Sequence, residues 1–358
     1  MNATTVAIDL AKSVFQLAVL RSSEEPIQLL RLSRPQLERW FHNRSVDLVL
    51  MEACGSAHHW GRWLQSLGIA VRLLPPHQIR AYVKRNKTDA ADALALLEAN
   101  RCQDLHSVAV KSIEQQCLQS LHRIRSQWVS TRTARINNLR GCLREFGIVI
   151  TVGSQRGIEA IAALLGNADS AVPALLRAAL LAELEEVRWL DQRIQTLERQ
   201  LAAAAAVSIA CEHLQSVPGV GLITSTALAA KTGGTVSQFL SSRTFASWFG
   251  LAPKEYSSGS HRQLGRISKR GDRYIRMLLT HGARSVLRAA TLAQRQGKPL
   301  DPLRTWALAV QARTHRNKAV CALANKLARI CYAVLRDGVP YRGLSRLSRR
   351  HSVVPLAA

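Results

Sequence analysis

Four acidic residues in the first hundred positions lie where predicted strands and helices end or begin. Asp9 closes the first β-rich run, and Glu52 directly follows an apolar run. Asp89 and Asp92 are three residues apart at the start of a predicted helix with Thr88 as its N-cap, so both carboxylates share one helix face. Two magnesium ions about 4 Å apart need several hard oxygen ligands of this kind. The four acids therefore predict a metal-dependent catalytic site.

Each of these acids also has an ordinary structural interpretation. Asp9 could cap a helix that begins at the next residue, and Glu52 could be a buried, hydrogen-bonded acid. Asp89 could simply stabilise the positive end of a helix dipole. The order of the four acids and their strand and helix contexts favour the catalytic interpretation.

Alternating strands and helices are predicted for residues 1–100. Three strands come before the first helix, which favours an antiparallel meander joined to a parallel part in an α/β layer arrangement. The predicted strands are 4–9, 14–20, 26–30, 47–51 and 69–74, and the predicted helices are 33–42, 56–67 and 88–100.

Long helices are predicted between residues 112 and 205, where turn signals are few. A heptad-like seam runs through residues 175–201 and is typical either of a long bundle helix or of a coiled-coil arm that could form a dimer interface. The seam consists of Leu180, Leu184, Val187, Leu190, Ile194, Leu197 and Leu201.

The positive charge is concentrated in the last third of the chain. The formal net charge is +25, and residues 231–358 contain 24 Lys and Arg against 4 acids, a net of +20. Such an excess favours a nucleic-acid partner over a merely soluble basic surface. The seven cysteines follow no zinc-binding spacing. With no signal peptide or membrane-spanning run in the sequence, we expect a cytosolic, nucleoid-associated protein.

The acids occur in a fixed order: an Asp on a strand, a Glu on a strand and then an Asp-x-x-Asp pair on a helix. This order resembles the RuvC-like branch of the RNase H fold. More closely, the chain resembles the DEDD transposases of bacterial insertion sequences, a family that includes the Piv-type DNA invertases. The matching segments are Ala7-Ile8-Asp9-Leu10-Ala11-Lys12, Met51-Glu52-Ala53-Cys54-Gly55 and Asn86-Lys87-Thr88-Asp89-Ala90-Ala91-Asp92-Ala93.

A second region of resemblance lies between Phe245 and Arg276. The family resemblance implies a serine nucleophile that becomes covalently linked to DNA, and Ser258, directly before Gly259, is the matching position. A glycine neighbour lets the backbone approach a phosphate closely. Ser257 and Ser260 are the alternatives, and a flexible polar loop is the ordinary interpretation of all three serines.

Basic residues and a glycine-rich turn flank this serine. The spacing of the cations predicts a stripe on one helix, suited to tracking a phosphate backbone or simply to facing solvent. The turn at 217–221 resembles a helix-hairpin-helix motif, whose backbone N–H groups bind phosphate. The predicted nucleic-acid-binding residues are Gly219, Gly221, Arg262, Arg266, Lys269, Arg270, Arg273 and Arg276.

The resemblance implies a Mg²⁺-dependent transposase or recombinase that cleaves and rejoins DNA. It implies a RuvC-like catalytic domain over 1–108, a helical or coiled-coil arm over 109–206, a mainly α-helical transposase domain over 207–340 and a basic tail over 341–358. It also implies a homo-oligomer, dimer or tetramer, and a structured guide RNA encoded by the element.

Three other functions stay open on the sequence. A junction-resolving nuclease would use only the four acids, with water as its nucleophile. A sugar-kinase or actin-like ATPase shares the first phosphate-loop pattern but would need a second glycine-rich loop, which we do not find. A non-enzymatic nucleic-acid binder would need none of the acids.

Overall fold

The chain divides into two units, Met1–Gln116 and Cys117–Ala358. They are seen in a computed structural model that describes residues 4–22, 25–83, 88–102, 105 and 107–343. The predicted domain limits at 108, 206 and 340 stay predictions. The predicted basic tail lies outside the described residues from 344 onward.

A five-stranded mixed sheet forms the centre of the first unit. Its strands are β1 (Thr5–Leu10), β2 (Val14–Leu20), β3 (Gln28–Ser33), β4 (Leu48–Glu52) and β5 (Ala70–Leu74). Their order is β3-β2-β1-β4-β5, with β1, β2 and β3 antiparallel and β1, β4 and β5 parallel. The predicted meander joined to a parallel part is confirmed, and the mixed sheet is compatible with an RNase H-like domain.

Helices cover both faces of this sheet. They are α1 (Arg34–His42), α2 (Ala57–Ser66), α3 (Pro76–Ile79) and α4 (Asp89–Asn100). On one face, α1 and α2 bury Trp40 and Trp60 against large side chains such as Phe15. On the other face, α4 packs over Ala7 and Ala18, whose small side chains leave room for a closely packed helix.

Eleven elements follow in the described part of the chain. The helices are α5 (Ile113–Glu145), α6 (Ser154–Gly166), α7 (Ala174–Ala206), α8 (Ile209–Gln215), α9 (Leu222–Thr232), α10 (Ser242–Trp248), α11 (Arg273–Arg295), α12 (Pro302–Arg313) and α13 (Arg316–Asp337). The strands are β6 (Pro253–Glu255) and β7 (Leu264–Ile267). Helix α11 packs against α9, α12 and α13 around the C-terminal core.

The seven seam residues of α7 are all buried within the single chain. Part of the seam packs against Ile136, Leu139 and Leu143 of α5 and against α6. Ion pairs join α5 and α7 in antiparallel order, because Arg125 pairs with Glu198 and Arg135 with Glu186. Packing within one chain therefore accounts for the seam, and the predicted coiled-coil arm and oligomer stay predictions.

No helix of the described residues is both long enough and apolar enough to cross a membrane.

Candidate catalytic residues and nucleic-acid interface

Asp9 and Glu52 lie at the carboxyl ends of two neighbouring parallel strands. The pairing of β1 with β4 runs as far as Ile8 and Met51, one residue before each acid. Residues two apart in a strand share a face, so Asp9 follows Ala7, and Glu52 follows Leu50, on the face that α4 covers. Both acids are half-buried.

Helix α4 begins with the second pair of acids. The Thr88 hydroxyl accepts a hydrogen bond from the Ala91 amide at 3.2 Å, which confirms the predicted N-cap. Asp89 is exposed and Asp92 is half-buried. Asp89, Asp92 and the buried Leu96 are spaced by three and four residues, so they lie on one face of α4. The face of α4 that packs on the sheet therefore begins with these carboxylates.

The fold thus places Asp9 and Glu52 on the sheet face that α4 covers, and Asp89 and Asp92 in the first turn of α4. Within the described ranges, no three His, Cys, Asp or Glu side chains are grouped closely enough to hold a metal ion together. Asn86 and Lys87 of the third matching segment lie outside the described residues. The ligand roles of Asp9, Glu52, Asp89 and Asp92 stay predictions.

Ser258 lies at the tip of an exposed β-hairpin. Strands β6 and β7 form a two-stranded sheet, and the chain reverses where Ser258 and His261 exchange backbone hydrogen bonds of 3.1 and 3.0 Å. Gly259, inside this turn, has a φ of +55°, a conformation that glycine adopts at little cost. The predicted flexible loop is therefore a hydrogen-bonded turn.

The three candidate serines differ in their surroundings. The Ser257 hydroxyl donates to Glu255 at 2.7 Å and accepts from the Gln263 amide at 3.2 Å, so it holds the hairpin together. For Ser258 and Ser260, both exposed, no side-chain hydrogen bond is formed with any residue that the structure describes. The Ser258 hydroxyl is thus available to a ligand, whereas the Ser257 hydroxyl is already engaged.

The base of the hairpin is fixed by close backbone contacts. The Lys269 amide donates to the Gly250 carbonyl at 3.0 Å, and a side chain at Gly271 would overlap the Trp248 carbonyl. Lys269 has a φ of +55°, the only positive φ of a non-glycine residue in the described chain. Such a conformation costs free energy and persists only where surrounding contacts enforce it.

The predicted single helix carrying the basic residues is wrong. Arg266 lies in β7, and Lys269 and Arg270 lie in the loop after it. Only Arg273 and Arg276 lie in α11. The hydrogen-bonded turn and the glycine contacts at its base produce a hairpin here, which cation spacing alone could not reveal.

Two of these cations already have partners within the protein. Arg262 forms an ion pair with Glu255 at 3.4 Å, and both side chains are exposed. Arg276 is half-buried and donates a 2.9 Å hydrogen bond to the Phe249 carbonyl. The latter contact ties α11 to the end of α10 and gives Arg276 a positioning role.

The glycine turn at 217–221 lies between α8 and α9, and its helix-hairpin-helix character stays a prediction. Gly219 has a φ of +82°, and a Cβ there would lie 2.7 Å from the Gly282 carbonyl oxygen of α11. Close packing on α11 thus explains Gly219. Gly221 is exposed, precedes the first turn of α9 and has open space around it. Phosphate binding by either glycine stays a prediction.

A cavity of about 400 Å³ opens between α5, α9 and the start of α11. Its wall includes His122, which is buried and hydrogen-bonded to the Thr226 hydroxyl at 3.0 Å and the Tyr274 hydroxyl at 3.1 Å. Burial, aided by the nearby Arg125 charge, lowers the pKa of His122 to about 4. The imidazole is therefore neutral at pH 7.

The sequence patterns did not lead to a predicted nucleic-acid-binding role for the cations in the rest of α11. Arg284, Arg288 and Arg295 are exposed and recur at helical spacing in a helix without any Asp or Glu. That combination, visible in the sequence, is the signal that could have identified them.

Comparisons with known proteins match both units. Residues 6–148 match the DEDD transposase domain, and residues 211–297 match the transposase IS116/IS110/IS902 family. The first segment contains all four acids, and the second contains Ser258 and every predicted nucleic-acid-binding residue.

Relatives align along nearly the whole chain. A probable family 20 transposase of Pseudomonas aeruginosa is 42% identical over 96% of this chain and 99% of its own length. The transposase for insertion sequence element IS1111A of Coxiella burnetii is 36% identical over 94% of this chain and 91% of its own. The transposase for IS1328 of Yersinia enterocolitica is 35% identical over 95% and 99%. Matches of this extent and identity show that the chain belongs to the IS116/IS110/IS902 family of transposases.

Proposed function

We propose that this protein cleaves and rejoins DNA strands during the movement of an insertion sequence, with Ser258 as the nucleophile. The observation that carries the proposal is the exposed, unengaged Ser258 hydroxyl at the tip of a hydrogen-bonded hairpin that also bears Arg262 and Arg266. The names of the relatives support insertion-sequence movement as the setting.

The four acids are proposed to hold Mg²⁺. A DEDD domain implies a divalent metal ion, and a set made only of carboxylates fits Mg²⁺, which prefers oxygen ligands. Asp9 and Glu52 are fixed by neighbouring strands, and Asp92 by a packed helix. Like-charged carboxylates repel one another, and a bound cation would offset that repulsion. When bound, the ion would stabilise negative charge on the phosphate and the leaving oxygen.

Ser258 would attack the phosphorus of the scissile phosphodiester. Its Oγ–P bond forms and the bond from phosphorus to a deoxyribose oxygen breaks. The Ser258 hydroxyl gives up one proton and the leaving oxygen takes one to become a hydroxyl, so the step involves no net change in protons. Guanidinium groups on the hairpin would stabilise the extra charge of the transition state. Because the new linkage is a phosphate ester, a hydroxyl of another DNA strand can displace Ser258 without an external energy source.

A structured guide RNA and a homo-oligomer belong to the same proposal. The net charge of +20 after residue 230 is sufficient to bind RNA as well as DNA through their phosphates. The proposed role of Ser258 depends neither on the sequence of such an RNA nor on the number of subunits.

The test compares Ser258→Ala with Ser260→Ala, a change of an equally exposed serine in the same turn. Each full-length variant is incubated with labelled DNA containing the element ends, together with RNA co-purified from the native host. We expect a covalent protein–DNA band in the wild type and in Ser260→Ala, and none in Ser258→Ala. Mass spectrometry of the digested adduct should place the phosphate on Ser258.

One outcome would overturn the serine mechanism in favour of the nuclease alternative. If Ser258→Ala still cleaves the DNA at the wild-type rate and no adduct forms in any variant, water is the nucleophile and the acids alone perform the chemistry. An adduct on Ser257 or Ser260 would transfer the role to that residue.

A further inference from the structure

Helix α11 has one face of cations turned away from the protein core. Its opposite face is buried through residues such as Ile275, Leu279 and Val286. At 100° per residue, the exposed arginines fall within an arc of roughly 60°. We call this set the outer row; it consists of Arg273, Arg284, Arg288 and Arg295.

The charge of the outer row is not compensated by the protein. Helix α11 contains no Asp or Glu, and none of the four arginines of the row forms an ion pair with a carboxylate in the described chain. The four acids of the last third are engaged elsewhere: Glu255 with Arg262, Asp272 with Lys231, Asp301 with Arg304 and Asp337 with Arg336. A row that folding does not neutralise attracts a polyanion.

The dimensions of the row fit a double helix. From Arg273 to Arg295 is 22 residues, which at 1.5 Å per residue gives about 33 Å, close to one turn of B-form DNA at about 34 Å. The row is straight because the helix is continuous from Arg273 to Arg295. The charged groups are guanidinium groups, which form paired hydrogen bonds with phosphate oxygens.

We propose that the outer row of α11 binds the phosphate backbone of duplex DNA. This inference rests on the proposed function only in taking DNA as the substrate. It adds a binding surface beyond the hairpin, and the chain passes from β7 to α11 through the short segment 268–272. The contacts are to phosphate, so the surface positions DNA without reading its sequence.

The experiment measures DNA binding without chemistry. The triple variant Arg284→Gln, Arg288→Gln, Arg295→Gln leaves the hairpin and Arg273 intact. Affinity of the full chain for a 30-base-pair DNA duplex of arbitrary sequence is measured between 50 and 300 mM salt by fluorescence anisotropy. Losing three phosphate contacts should lower the slope of log affinity against log salt by about 2.7, and the affinity at 0.15 M salt by roughly a hundredfold.

A matched control removes the same charge elsewhere. Arg144, Arg156 and Arg188 are exposed on α5, α6 and α7, and we expect their triple glutamine variant to keep the wild-type slope within about one unit. The triple variant of Arg284, Arg288 and Arg295 to lysine should keep the slope as well. Circular dichroism and the melting temperature establish that each variant is folded.

Three results would overturn the proposal. The control variant could lose as much slope as the α11 variant, which would mean that only net charge matters. The α11 variant could bind the DNA duplex with an unchanged slope. It could also lose slope only with an RNA duplex of equal length, which would assign the row to RNA. Because Ser258 is unchanged throughout, none of these results bears on adduct formation.

Discussion

The two units hold their candidate catalytic residues in opposite ways. In the first unit, Asp9 and Glu52 lie at the carboxyl ends of strands in a sheet that is covered on both faces, and Asp92 lies in the first turn of a packed helix. In the second unit, Ser258 lies on a hairpin whose residues from 255 to 266 are all exposed. Metal ligands need a fixed geometry, whereas a nucleophile must reach a large substrate. The difference indicates that the packed sheet and helix fix the positions of the acids in the first unit. In the second unit, the backbone contacts at the base of the hairpin fix the position of Ser258.

The largest expected effect comes from removing a charge at the sheet face. Asp92→Asn keeps the shape and helix spacing of the residue but removes a proposed Mg²⁺ ligand. We expect DNA cleavage to fall by about a thousandfold or more, since the charge stabilisation of the transition state is lost. Divalent-metal binding, followed by the melting temperature against Mg²⁺ concentration, should weaken in parallel.

Glu98→Gln is the matched control, because Glu98 is exposed on the same helix and forms an ion pair with Arg101 at 3.0 Å. It should cleave DNA at the wild-type rate. Wild-type cleavage and metal response in Asp92→Asn would remove this residue from the site and break the contrast between the units.

An intermediate effect tests the base of the hairpin against its tip. Gly271 and Gly259 both have positive φ values, +99° and +55°. A Cβ at Gly271 would overlap the Trp248 carbonyl, whereas a Cβ at Gly259 meets nothing within 4 Å. We expect Gly271→Ala to lower the free energy of unfolding by about 3 kcal/mol or more and Gly259→Ala by about 1 kcal/mol.

Urea denaturation of the two glycine variants gives both values. Adduct formation should be reduced more in Gly271→Ala, measured at a temperature where both variants stay folded. If both substitutions lower the free energy of unfolding equally, the base of the hairpin is no more rigidly fixed than its tip.

A smaller effect concerns the interior of the second unit, which contrasts with its exposed hairpin. The pKa of His122 in the folded protein is about 4, below the ordinary value of about 6.5, because the imidazole is buried. Protonation therefore favours the unfolded chain, and the stability that His122 contributes is complete above pH 6.5 and is lost as the pH falls toward 4. Between pH 7 and pH 5 this loss amounts to about 2 kcal/mol.

Urea denaturation at pH 7, 6 and 5 measures this contribution. His122→Gln should be less stable than the wild type at pH 7, because it disturbs the hydrogen bonds of the imidazole to Thr226 and Tyr274. Because glutamine cannot be protonated, the variant should lose about 2 kcal/mol less on acidification. If the wild type and His122→Gln show the same dependence on pH, His122 is not the buried neutral group that its hydrogen bonds to Thr226 and Tyr274 indicate.

Local patterns predicted the first unit well. Strand Val14–Leu20 was predicted to the residue, and the Thr88 cap was confirmed by its hydrogen bond. These features depend on residues close in sequence, such as a period of two in strands and a cap three residues from its amide. The sequence likewise identified the seven apolar residues that α7 buries.

Contacts between distant segments could not be predicted from local spacing. The cations from Arg266 to Arg273 were assigned to one helix, but the hairpin depends on the turn at Ser258 and on backbone contacts with Gly250, twenty residues from Arg270. The sequence pattern predicted that Gly219 binds phosphate. Its structural role, close packing on Gly282, is visible only in the fold. The spacing of residues along the sequence does not indicate which partner each residue contacts in the folded protein.

The sequence by itself determined the acids, their strand and helix contexts, the excess of positive charge and the family. The tertiary structure decided that Asp9 and Glu52 lie on the sheet face covered by the helix that begins with the other two acids. It also decided that Ser257 is engaged while Ser258 is not, and that an uncompensated basic row lies on α11. The physical reason is that residue types and periodicity set local conformation and charge. The burial of a group and the choice of its partner depend on packing between segments far apart in the chain.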